Sequence, residues 1–63
     1  MRAKLKEARK AAGLTQQQMA DRLGISEVYY KKIEAGERDG SFAYWDTMED
    51  MFNVHQRILR EKT

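Results

Sequence analysis

The residues able to do chemistry crowd into one stretch, "ISEVYYKKIEAG" from Ile25 to Gly36, where two tyrosines stand beside two lysines with Ser26, Glu27 and Glu34 close by. Elsewhere no set converges on a reaction. His55 is the only histidine and cysteine is absent, so neither a metal-ligand set nor a thiol nucleophile with its base can be assembled. Glu49 and Asp50 are neighbours, and on a helix they would point about 100° apart, too far to cooperate as a carboxylate pair. The serines fall where helix caps are expected. These features argue against an enzyme and give no sign of a cofactor, a metal or a small-molecule ligand. They point instead to a binding surface of ammonium groups, a carboxylate, a hydroxyl and a phenol.

Helices must position that surface. A chain of 63 residues makes one small domain, residues 1–63, with a core near the lower limit for independent folding. Leu5, Ala8 and Ala12 repeat at helical spacing on a first helix over roughly residues 2–12, which Gly13 can close. Thr15 and Gln18 form a T-x-x-Q capping box, and Leu14 with Met19 forms a hydrophobic staple, so a second helix starts at Gln16 and buries Met19, Ala20 and Leu23. Gly24 permits a sharp reversal. Ser26 then caps a third helix, with Ile25 and Tyr30 as its staple, and Gly36 ends it. After the polar "ERDG" turn, Ser41 caps a fourth helix whose inner face is Phe42, Trp45, Met48, Met51 and Phe52, ending at Asn53. That face has the spacing of a core rather than of a cofactor pocket. Val54, Ile58 and Leu59 suit a short fifth helix with no clear cap at its start. The expectation is an all-α, compact bundle of about five short helices, two of them joined by a sharp turn over about residues 16–35.

On the third helix, adjacent residues cannot share a direction. Tyr30 and Ile33 lie only about 60° apart around the axis, so the buried direction runs between them and Val28, nearly opposite, points outward. Lys31 and Lys32 fall on either side of Val28, and Glu27 and Tyr29 lie at the two edges of that outer face. Tyr30 belongs to the core.

Charge adds a direction to the molecule. Residues 1–38 hold nine Lys/Arg against five Asp/Glu, and residues 39–63 three against five, within a net charge of +2. A basic first part suits an anionic partner, nucleic acid or membrane surface. Membrane insertion is the weaker option, because Leu5, Ala8 and Ala12 give the first helix little apolar area. The amino terminus has no apolar stretch long enough for a signal peptide or a span, and the lack of cysteine fits a reducing, cytoplasmic setting. No linker is evident, and no disordered tail beyond the final "EKT".

The stretch "LTQQQMADRLGISEVYYKKIEAGER" resembles, position by position, the helix-turn-helix domains of phage repressor and Cro proteins and their bacterial relatives. Gln16 opens the second helix, Ala20 is small where helices cross, Gly24 sits in the turn, and Met19, Leu23, Ile25, Tyr30 and Ile33 take the apolar positions. The likeness extends over nearly the whole chain. Arg9 and Glu34 stand where many relatives carry a partly buried structural ion pair, while Gly40 stands where Pro is usual and Asn53 where Gly is usual. The resemblance implies a lambda-repressor-like fold and sequence-specific binding to double-stranded DNA, as a repressor or other regulator in a bacterial cell, nucleoid-associated, with a phage or other mobile element as a plausible source.

Under that resemblance the outward face gains a chemical reading. Lys32 can donate to guanine, Glu27 can accept from cytosine N4, and Val28 can meet a thymine methyl. Gln16, Gln17, Ser26, Tyr29, Lys31 and Arg38 are the candidates for phosphate contacts, which set register without reading sequence. Relatives pair near the junction of their fourth and fifth helices, which makes Tyr44, Met51, Val54 and Ile58 candidates for exposure at a homodimer interface, at least on DNA. The competing expectation is a protein-interaction module on the same fold, such as an antirepressor or regulatory partner, since Glu27, Glu34, Glu37 and Asp39 dilute the basic face.

Overall fold

Side-chain caps decide where the helices begin. In the computed structural model, which describes residues 1–62, the order is α1 (Ala3–Ala11), α2 (Gln16–Leu23), α3 (Glu27–Ala35), α4 (Phe42–Phe52) and α5 (Gln56–Leu59), with no strand among those residues. Thr63, the end of the expected "EKT" tail, lies outside the described residues.

The capping box at α2 is complete: Thr15 Oγ1 accepts from the Gln18 amide at 3.1 Å and Gln18 Oε1 accepts from the Thr15 amide at 2.9 Å. Two donors that α2 would otherwise leave unpaired are thereby satisfied. Gly24 ends α2 in the left-handed region at φ 71°, where an L side chain is strained, and the Ile25 amide returns to the Ala20 carbonyl at 3.0 Å. Ser26 Oγ then accepts from the Tyr29 amide at 3.1 Å and starts α3. The reversal between α2 and α3 is thus fixed at both ends by local bonds.

The core gathers one or two side chains from each helix: Leu5, Met19, Ala20, Tyr30, Ile33, Trp45, Met48 and Leu59 are all sealed from solvent. Leu14, Leu23 and Ile25 pack around it, half-buried. α2 packs on α3, while α1 lies against α3 and α5, and α5 also meets α4.

Several expectations need correction. Phe42 is 75% exposed rather than on the inner face of α4. It opens the helix and lies about 90° from the direction between Trp45 and Met48, so the core ends before reaching it. Met51 and Phe52 are half-buried at the other end. Ser41 takes N-cap backbone geometry, but its hydroxyl makes no cap bond. α5, expected to lack a cap, has one: His55 Nδ1 accepts from the Arg57 amide at 3.0 Å and Glu49 Oε2 from the Gln56 amide at 3.1 Å. Val54 precedes α5 rather than belonging to it, and Ala12 is exposed just past α1. Leu23 is only half-buried, and the second buried residue of α1 is Arg9.

Candidate nucleic-acid interface

α3 presents its outward face because Tyr30, Ile33 and Glu34 hold the opposite one inside. Val28 is 65% exposed. Lys31 is exposed and its ammonium lies 4.0 Å from Glu27 Oε2, one helical turn back. Lys32 is half-buried, and among the described residues its ammonium has no carboxylate partner. That leaves Lys32 the cation of α3 without a carboxylate beside it. Tyr29 is half-buried, its ring meeting that of Tyr44 edge to face at a centroid distance of 6.3 Å.

The other candidate contacts surround this face. Ser26 uses an oxygen lone pair as the cap of α3 and keeps its hydroxyl proton to donate. Gln16 Nε2 donates to Glu34 Oε1 at 3.3 Å and retains a second N–H. Gln17 is exposed and bonded to Asp21 Oδ1 at 2.9 Å, four residues on. Arg38, in the loop after α3, is exposed, with Nη1 reaching only the neighbouring Glu37 carbonyl at 3.3 Å. Of the residues expected at a dimer surface, Tyr44, Met51 and Val54 are half-buried against their own core, and Ile58 alone is classed as exposed, at 39%.

A buried charge cluster supports the face from behind. Arg9 donates through Nε to Glu34 Oε2 at 2.9 Å and through Nη2 to Oε1 at 3.1 Å, a two-pronged bond from α1 to α3. The Tyr30 hydroxyl adds a bond to Oε2 at 2.6 Å. Burial alone would raise the Glu34 carboxyl, but the bonds from Arg9, Tyr30 and Gln16 outweigh it and hold Glu34 below the usual carboxylate range. The Tyr30 phenol is pushed well above its ordinary value, first by burial and then by its bond to Glu34. Arg9 also gives Nη1 to the Leu14 carbonyl at 2.8 Å, so the turn into α2 hangs on the same guanidinium.

Sequence reasoning missed Arg2. It stands in a run of charge just before α1, yet it is 2% exposed, with its guanidinium 5.0 Å from the centre of the Trp45 ring. It also missed the loop's second anchor, the Trp45 indole, which donates to the Asp39 carbonyl at 2.6 Å. No local pattern signals either one.

A family model described as helix-turn-helix matches residues 5–55, from within α1 through α4 to the residue before α5. The chain belongs to the helix-turn-helix family, Cro/C1 type. Its all-α architecture is that of a lambda-repressor-like helix-turn-helix domain. No curated protein and no solved structure matches it. The family is one of DNA-binding regulators, so this helix-turn-helix chain binds DNA and regulates transcription. α2 and α3 are the two helices of the motif. Among the described residues no helix is long and apolar enough to cross a membrane.

Proposed function

We propose that the helix-turn-helix chain is a repressor that inserts α3 into the major groove of a palindromic operator as a homodimer. The carrying observation is the outward face of α3, where Val28, Glu27 and Lys32 offer an apolar contact, an acceptor and an unpaired cation to base edges. Gln16, Gln17, Ser26, Tyr29, Lys31 and Arg38 supply the phosphate grip. One copy measures 23 × 22 × 20 Å, shorter than the ~34 Å between successive major-groove faces on one side of the duplex. Reading two half-sites therefore takes two copies, joined near Met51, Val54 and Ile58. Residues 1–63 act as one DNA-binding unit, under control of their own concentration, with autorepression in a phage or mobile element as the setting and the nucleoid as the location.

Selection of duplexes from a random pool at moderate salt, repeated with Lys32→Ala, tests this. The expected result is a symmetric site whose preference relaxes at one base-pair position per half-site, at a cost of about 1–3 kcal/mol. If no duplex is enriched, the repressor reading fails. A protein partnership is the competing reading, because the Glu27 carboxylate lies 4.0 Å from the Lys31 ammonium and Glu37 and Asp39 are exposed nearby. Salt separates the two: phosphate contacts weaken steeply as salt rises, whereas an apolar partnership barely responds.

A further inference from the structure

Arg2 is a buried cation that the DNA-facing surface does not use, and its bonds converge on the loop that does. Four of its five N–H groups are engaged. Nη1 donates to two carbonyls, those of Ile33 in the last turn of α3 and of Arg38 in the loop, the latter at 2.9 Å. Nε donates to the Arg60 carbonyl at 3.1 Å and Nη2 to Asp39 Oδ1 at 3.3 Å. The Arg2 backbone amide adds a bond to the Glu34 carbonyl at 2.8 Å.

The course of the loop depends on these donors. Between Glu37 and Gly40 it sends no large apolar side chain into the core. Its Glu37 and Arg38 amides bond the Lys32 carbonyl at 2.9 and 3.3 Å, and beyond that turn side chains hold it: Arg2 on the Arg38 carbonyl, Trp45 on the Asp39 carbonyl, and Arg2 with Lys62 on the Asp39 carboxylate, with Arg2 lying over the Trp45 ring. The carbonyl that Arg2 grips belongs to the residue whose exposed guanidinium is a candidate phosphate contact. A lysine could not do the same, since one ammonium on a flexible stem lacks the planar fork that spans several carbonyls.

We infer that Arg2 is a positioning residue for DNA binding: without touching the duplex, it helps fix the loop between α3 and α4 so that the backbone carrying the Arg38 side chain stands at a set offset from the outward face of α3. This rests on the DNA-binding reading above. A purely structural Arg2 would matter only to the folded fraction, whereas a positioning Arg2 acts through Arg38 in a fully folded chain.

The test uses the full chain, a duplex selected from a random pool, and a scrambled duplex, with anisotropy titrations over a range of salt at temperatures where circular dichroism shows each variant folded. Arg38→Ala is expected to reduce the slope of log affinity against log salt by about 0.9, the share of one phosphate. Arg2→Met is expected to reduce it equally and to lower affinity about tenfold on both duplexes, the loss of one charge-assisted contact. The Arg2→Met, Arg38→Ala double variant should bind no worse than Arg38→Ala alone. Arg2→Lys serves if Arg2→Met does not fold, with the same expectations. An unchanged slope in a folded Arg2 variant, or losses that add to those of Arg38→Ala, overturns the inference while leaving DNA binding standing. An unaltered chain that binds no duplex overturns both.

Discussion

Glu34 accepts from Arg9, Tyr30 and Gln16 at once, and that convergence sets how stability depends on pH. Its carboxyl is held below the unfolded value of about 4.3, so the stabilisation is complete above that pH and is lost as pH falls through the lower folded value. Tyr30 has the opposite sign. Its phenol is raised above the unfolded value of about 10, so its contribution is complete below pH ~10 and drains away as pH rises further. Thermal melts across pH should show a broad plateau with an acid edge below about pH 4.3 and an alkaline edge above about pH 10. Glu34→Gln should remove the part of the acid edge owed to this carboxyl. It should also cost about 3–5 kcal/mol, because Arg9 is then left buried without a counter-charge. The Arg9 and Glu34 pairing was legible only through resemblance, since 25 residues separate the partners. The positions of Val28 and Tyr30, by contrast, follow from helical spacing alone. Arg2 was invisible at this scale because its partners lie 31 to 58 residues away.

At the scale of the element, what could be read was local. Thr15 bonds Gln18 three residues on, and such a pair is written into the sequence. Asn53 closes α4 at φ 54°, a conformation asparagine tolerates better than most side chains, which is why it can stand where glycine is usual. The loop into α4 was harder. Gly40 has φ 73°, which proline's ring forbids, so this loop takes a path that the usual proline would not allow. A Cβ at Gly40 would lie 3.2 Å from both Ile33 Cδ1 and Tyr44 Cδ2. Gly40→Ala should therefore lose at least the ~1–2 kcal/mol of left-handed strain, read as a lower urea midpoint with an unchanged slope. The exposure of Phe42 escaped prediction for a related reason: spacing gives a direction, but only the assembled fold shows whether anything lies there. Arg60 does, 5.8 Å from the ring centre.

For the whole molecule, size is the controlling fact. A body about 23 Å across with a radius of gyration of 10.0 Å has room for few phosphate contacts, which is why the proposed function calls for two copies on one duplex. Ile58→Glu tests the proposed homodimer surface. At 39% exposure the change should alter the melting temperature little, yet a charge in an apolar interface should turn two-to-one complexes on a palindrome into one-to-one complexes in sedimentation. Where two copies would meet is not legible from single-chain spacing, because a surface residue carries no mark of what covers it. Trp45 ends as an instrument as well as a core residue. It is the sole tryptophan, 1% exposed, with the Arg2 and Arg60 guanidinium groups 5.0 and 5.7 Å from its ring. Its emission should serve as a built-in optical gauge of the loop after α3, shifting red if the loop opens and water reaches the ring. The integrity of the loop can then be followed without attaching a dye.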